Sequence, residues 1–235
     1  PGILLRSLFT SIASCASTST VRPELSSIYI SIEGGILTAV ATDSFRLAEK
    51  KVPLINKGLQ GKFLIPAKNA LDIAQALPDN DIIMSFDEHQ CAFVSDKGML
   101  VSRLTNAVYP DYRQIIPKES IVEAIILRKD FENALKRTTI FSDLFQKVRI
   151  SFDPKKNVFS FFARNADIGE SLETIPANIS GSALELSFNH RYLSAVLSLT
   201  TSESVSLLAA GVGRPLIIKG MNDTSLLYLV SPMNQ

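Results

Sequence analysis

The sequence predicts an α+β fold made of two tandem copies of one two-helix, antiparallel-sheet unit, and three observations lead there. Amphipathic helical stretches alternate with clusters of short strands. The order helix, strands, helix, strands occurs twice, at a period of about 120 residues. Glycine-rich turns leading from a strand into a parallel crossover helix are missing, which argues against a Rossmann-type enzyme. The segment YPDYRQIIPKES (109–120), with two prolines among charges, reads as a junction between a domain at 1–112 and another at 113–235.

Each element follows from its local pattern. In the first half Leu4, Leu5, Leu8, Phe9 and Ile12 recur at three- and four-residue spacing, the mark of an amphipathic helix. Strands follow at IYISI (28–32), ILTAVAT (36–42) and RLAEKKV (46–52), separated by Gly34-Gly35 and an Asp43-Ser44 turn. FLIP (63–66) then feeds a helix at AKNALDIAQAL (67–77), entered through Pro66. IIMSF (82–86), CAFVS (91–95) and MLVSRL (99–104) complete the half. The second half opens with a helix after Lys129, with Asp130 as its N-cap and Phe131, Ala134, Leu135, Thr138 and Phe141 on one face. Strands are expected at 148–152, 158–163 and 170–175, and LELSF (184–188) leads into a helix at 189–199 capped by Asn189. Strands at 204–208, 215–219 and 225–230 finish the chain.

Composition bounds the function. The 235 residues hold 24 Lys+Arg against 23 Asp+Glu, a net charge of +1, with 46% hydrophobic and 20% charged residues. Such values exclude a disordered or collagen-like chain. No apolar run approaches the roughly 20 residues that span a bilayer, so no membrane partner is expected. Pro1 in place of an initiator Met reads as a fragment or a processed product. Cys15 and Cys91 stand outside any CxxC or Cys/His cluster, so they read as buried small hydrophobes in a reducing cytoplasm, with no metal site and no cofactor.

Catalytic signals are sparse. The two histidines, His89 in a polar DEHQ turn and His190 beside a helix cap, read as surface residues. Asp43 in ATDSFRL suits a turn carboxylate that caps backbone amides. GVG (211–213) leads into a strand, not a helix, and so does not make a phosphate cradle. No enzyme is expected. The basic residues say more: Arg6, Lys68, Lys129, Lys136, Arg137 and Arg191 fall on or beside the four helices, whereas most carboxylates fall in strands and turns. A cationic helical face in a nearly neutral protein suits sequence-independent contact with phosphates. At the C-terminus, LLYLVSPMNQ stays apolar almost to the last residue, which suits an apolar groove bordered by Pro232 and Met233.

Four segments in register, ATDSFRLAEKKV (41–52), YPDYRQIIP (109–117), SFNHRYLSAVL (187–197) and YLVSPM (228–233), resemble signature stretches of the bacterial sliding clamp family, the β subunit of DNA polymerase III. The resemblance spans essentially the whole chain and corresponds to the second and third of the family's three domains. It implies a DNA-clamp fold, a homodimeric ring in the full-length protein, and a hole lined by helices through which double-stranded DNA passes. It implies a processivity factor in the cytoplasm, at the replisome, with no chemistry of its own. Implied partners are the replicative polymerase α subunit, the clamp loader δ subunit, and other DNA polymerases or repair proteins that carry QLxLF-type linear motifs.

The resemblance also carries site residues. Peptide contacts are implied in the first domain at Leu25, Thr42, Ser44, Phe45, Arg46 and Leu47, and around the junction at Pro110, Gln114 and Ile115. The second domain supplies Asn189, Tyr192, Pro215 and Leu229, followed by Val230, Ser231, Pro232 and Met233. Arg46 and the backbone near Pro232 are expected to fix the peptide's polar end. Phe45, Gln114 and Ser231 depart from the residues common in the family at those positions. For DNA, Lys68 and Arg137 match family channel positions, while Arg6, Lys136 and Arg191 rest on helix placement alone. The alternative reading is a peptide-binding adaptor that keeps the fold without a DNA function.

Overall fold

Strand alternation and helix periodicity act locally, and each half of the chain folds on them into its own unit. The computed structural model describes residues 1–55 and 58–233. The chain divides into two compact units, Pro1–Asp111 and Tyr112–Gln235.

The first unit begins with α1 (Gly2–Ala13), followed by β1 (Ser27–Glu33), β2 (Ile36–Thr42), β3 (Arg46–Pro53) and β4 (Gly61–Pro66). Helix α2 (Ala67–Ala76) starts directly after Pro66, and β5 (Ile83–Phe86), β6 (Gln90–Ser95) and β7 (Gly98–Arg103) complete the unit. Within the unit the strands order as β3-β2-β1-β4 and β5-β6-β7, all antiparallel. Gly34 and Gly35, at φ 60° and 79°, make the two-residue turn that pairs Glu33 with Ile36. Positive φ at both positions is what the twist of such a hairpin requires, and glycine meets it without strain.

Helix α1 buries Leu5, Leu8, Phe9 and Ile12, while Leu4, expected on the same face, is 40% exposed. The Phe9 ring meets Phe93 of β6 edge-on at 5.8 Å, so the helix also packs against the smaller sheet. Cys15 and Cys91 are free thiols with no exposure. Burial raises both thiol pKa values, that of Cys91 to about 11.

The second unit opens with a 3₁₀ turn at Tyr112–Ile115 and then β8 (Val122–Leu127) and α3 (Arg128–Thr139). Strands β9 (Lys147–Asp153), β10 (Val158–Asn165), β11 (Gly169–Pro176), β12 (Asn178–Gly181) and β13 (Leu184–Asn189) follow. Helix α4 (His190–Ala195) tightens into a 3₁₀ turn at Val196–Ser198, and β14 (Ser204–Ala209), β15 (Leu216–Gly220) and β16 (Asp223–Val230) end the chain. Within the unit the orders are β11-β10-β9-β13 and β12-β8-β14-β15-β16.

Three expectations need correction here. Strands β8 and β12 were not expected. The β8 segment, apolar except for Glu123, passes into α3 with no turn between, and β12 has little apolar character beyond Ile179. Helix α3 therefore begins at Arg128, whose N–H donates to the Glu203 carbonyl at 2.8 Å. Asp130 lies inside the first turn instead of capping it, where its charge still complements the helix dipole. Phe141 falls beyond the helix end. The Asn189 cap is as expected, with its Oδ1 accepting from the Arg191 N–H at 2.9 Å.

The core of this unit is aromatic. Phe131 of α3 meets Phe161 at 5.1 Å, and Phe152 meets Phe159 at 5.0 Å, both near-perpendicular. Among the described residues no helix is long and apolar enough to cross a membrane.

Candidate functional site

In the first unit the candidate residues gather on the β2–β3 turn. Ser44 takes φ 79°, and the Asp43 carboxylate holds the turn by accepting from the Phe45 and Arg46 N–H groups at 3.0 Å each. Thr42 Oγ1 donates to the Arg46 carbonyl at 2.6 Å and accepts from the Ser44 N–H at 3.1 Å. This network presents Phe45 outward, 58% exposed. Asp43 is thus a structural carboxylate, as its turn position predicted.

Arg46 differs from expectation. Its Nε donates to Asp43 Oδ2 at 3.0 Å and its Nη2 to the Ser14 carbonyl at 2.8 Å, leaving the side chain 18% exposed. Expected as a hand for a peptide's polar end, the guanidinium is held by its own unit, because a short turn places the carboxylate three residues away. Leu25 and Leu47 are closed off from solvent, and Pro110 is exposed.

In the second unit Gln114 and Ile115 lie exposed on the 3₁₀ turn. Asn189 caps α4, and the carbonyl of Tyr192 accepts from the Tyr228 hydroxyl at 2.7 Å, tying α4 to β16. Leu229 and Val230 are buried at the end of β16, whereas Ser231, Pro232 and Met233 are half-buried. Pro215, also half-buried, precedes β15. The Met233 N–H donates to the Ser187 carbonyl at 2.7 Å, so this amide near Pro232 is occupied within the unit and not open to a peptide. The last two residues of the chain lie outside the described residues.

The basic residues also require correction. Arg6 pairs with Asp79 at 2.9 Å and donates to the carbonyls of Ala74 and Leu77. Lys136 pairs with Glu132 one helical turn away at 2.6 Å, and Arg137 pairs with Glu173 of β11 at 2.7 Å. The carboxylates are therefore not confined to places away from the helices. Arg137 holds the Glu173 carboxyl below its ordinary range, and Lys136 does the same for Glu132. Lys68 and Arg191 are exposed and have no ion pair among the described residues. The expected cationic face is thus half paired, since Lys129, like Lys68 and Arg191, is exposed with no ion pair among the described residues. Sequence reading missed Arg128, which lines a groove between α3 and α4 with His190. The wrong helix start hid it.

His190 is half-buried, and burial first, then the Arg191 charge, lowers its pKa. Among the described residues no group of three His, Cys, Asp or Glu side chains is placed to hold a metal ion.

Comparison with known proteins adds to this geometry. The description "DNA polymerase III beta subunit, central domain" matches residues 2–111, and "DNA polymerase III beta subunit, C-terminal domain" matches residues 113–234. The chain is 30% identical to the Beta sliding clamp of Bacillus subtilis over 241 aligned residues, covering 99% of this chain and 63% of that protein. It is 28% identical to the Beta sliding clamp of Staphylococcus aureus, covering 92% of this chain and 58% of that one. The crystal structure of the Bacillus subtilis DNA polymerase sliding clamp superposes with a TM-score of 0.94 at 29% identity, over 100% of this chain and 63% of that one. The Thermotoga maritima beta subunit, at 20% identity and a TM-score of 0.94 over 100% of this chain and 64% of that one, shares the fold. This chain spans less than two thirds of the length of these relatives. With two family descriptions tiling it from residue 2 to residue 234, the chain belongs to the DNA polymerase III beta subunit family, of which it carries the central and C-terminal domains.

Proposed function

We propose that this chain serves as the central and C-terminal part of a DNA sliding clamp, a non-catalytic processivity factor that encircles duplex DNA without reading its sequence. The observation that carries the reading is the match to the Bacillus subtilis clamp, 29% identical with a TM-score of 0.94 across the whole chain. A topological link does the holding, so contacts with DNA need only be weak and mobile. Three open cations on or beside the helices, Lys68, Lys129 and Arg191, suit such a contact. In the complete protein two copies close a homodimeric ring in the cytoplasm, at the replisome.

Partners dock through short QLxLF-type peptides carried by the polymerase α subunit, the clamp loader δ subunit and other DNA polymerases or repair proteins. The first unit offers Phe45 and Pro110; the second offers Gln114, Ile115 and the run Ser231 to Met233. Apolar side chains with a few polar groups for orientation suit small hydrophobic anchors. Arg46 acts by holding the turn that presents Phe45.

Fluorescence polarisation of a labelled QLxLF-type peptide tests this. Saturable binding is expected, weakened in a Phe45→Ala, Met233→Ala double variant; no binding at high micromolar protein overturns the partner reading. A second reading, a peptide-binding adaptor without DNA function, draws on the ion pairs at Arg6, Lys136 and Arg137. Charge reversal at Lys68 and Arg191 separates the two: it leaves an adaptor untouched and weakens DNA binding by a clamp.

A further inference from the structure

Strands β9 and β10 of the second unit turn Val148, Ile150, Phe159 and Phe161 into the core, so the period of two sends the residues between them to the opposite face. On that face lies a basin of about 400 Å³, walled by Lys147 and Arg149 of β9, Phe162 and Arg164 of β10 and Glu185 of β13. Its three cations are unspent. Arg149 reaches Glu185 only at 3.8 Å and Arg164 reaches Glu170 only at 3.9 Å, too long for hydrogen bonds, and Lys147 has no ion pair among the described residues. Arg6, Arg46, Lys136 and Arg137, by contrast, hold their carboxylates at 2.6 to 3.0 Å.

The Arg149 guanidinium sits 4.6 Å above the ring of Phe162, its neighbour across the β9–β10 ladder. Stacking fixes the plane of the group and leaves its N–H edge free, the arrangement that receives a carboxylate through two parallel hydrogen bonds. Asp143 does not serve, because its Oδ1 accepts from the Lys147 N–H at 3.0 Å and holds the turn before β9. The exposed Glu185 decides between ligand classes. A phosphate chain brings it only acceptors and charge of its own sign, whereas a peptide supplies backbone N–H donors for Glu185 together with a carboxylate for Arg149. The basin also adjoins the surface proposed above for partner peptides. Ser187 lines the basin, and its carbonyl accepts from the Met233 N–H at 2.7 Å, so the run Ser231 to Met233 ends at the basin's rim.

Resting on the partner-peptide reading above, we propose that this basin receives an acidic segment flanking a partner's docked motif, with one carboxylate on Arg149 while Lys147 and Arg164 draw a second. A partner that carries such a flank then outcompetes one that carries the motif alone.

The test titrates labelled QLxLF-type peptides against the intact 235-residue chain by fluorescence polarisation: the motif alone, the motif with a pair of glutamates added at either end, and a scrambled motif with the same additions. Glutamates at one end are expected to tighten binding about fivefold at low salt, the gain of one well-placed exposed ion pair, and to lose that gain as salt rises. Arg149→Gln is expected to remove the gain. Lys155→Gln, which deletes an exposed charge in the turn at the other end of β9, is expected to keep it. A gain that both variants remove alike is general charge attraction and overturns the basin. A motif that binds with no gain from either addition also overturns the basin and leaves the partner reading standing. A scrambled motif that binds as tightly as the intact one overturns the basin as an extension of the motif surface. A single-stranded thymidine oligonucleotide that binds through Arg149, while the glutamates add nothing, assigns the basin to nucleic acid and overturns the peptide. No binding by any peptide at high micromolar protein overturns the partner reading and the basin with it.

Discussion

In the first unit α1 brings Leu8 and Ile12 to the sheet, and β2 answers with Leu37, Ala39 and Ala41. In the second unit the same helical positions of α3 hold Ala134 and Thr138, and β10 answers with Phe159, Phe161 and Ala163. Bulk has moved from helix to strand while the layer between them stays filled. Cores accept such exchange when total volume and patterning are kept, which is how two copies of one fold diverge without losing it. The units also differ at one sheet: β14 is flanked by β8, whereas its counterpart β5 pairs only with β6 among the described residues.

The comparison breaks most sharply at the aromatic strand. Phe161→Ala is expected to cost the second unit about 3–5 kcal/mol, because the cavity left among Phe131 and Phe159 cannot collapse. Urea unfolding with a global two-transition fit measures it. The converse change, Ala39→Phe in β2, overpacks the first unit by about 1–3 kcal/mol. If α1 and β2 share one volume, adding Leu8→Ala returns part of that loss, and a double-mutant cycle then shows a coupling between the sites. Additive costs would mean that the two positions do not share space.

A smaller effect sharpens the contrast at the turns. Asp43→Ala removes the acceptor of three bonds in the first unit and is expected to cost about 1–3 kcal/mol, with weakened peptide binding as Phe45 loses its support. Both cysteines lie in the first unit, fully buried. Native protein at neutral pH is therefore expected to react with a disulfide reagent only at the rate at which that unit opens; a burst of labelling before unfolding would contradict the burial. The smallest effect is acid-dependent and belongs to the second unit. Glu173 has its pKa lowered by Arg137, so its stabilising share is complete above the ordinary glutamate value of 4.5 and drains away as the pH falls below it. Glu173→Gln is expected to lower the melting temperature slightly near neutrality and to leave it nearly unchanged at acid pH, which flattens the acid limb.

The turn ATDSFRL was legible because its chemistry is local: Asp43 reaches backbone amides two and three residues on. The Asn189 cap was legible for the same reason. The candidate peptide residues came through family likeness, which carries positions but not exposure. Hence Leu47 and Val230 look equivalent to Phe45 and Met233 in sequence, although the first two are closed off from solvent.

By itself the amino-acid sequence determined the repeat, the fold class and most strand and helix positions, because periods of two and 3.6 residues select elements through forces between near neighbours. Tertiary structure alone decided that β8 is a strand, since its identity depends on pairing with β14, some 80 residues away in order-of-magnitude terms. It alone decided which charges remain open. Arg137 meets Glu173 and Arg6 meets Asp79 across long stretches of chain, while Arg128 meets no carboxylate closely enough to pair. A charge is written in the sequence, but its partner is set by the packing that brings distant segments together, and in water or at a protein surface the partner decides whether that charge is available.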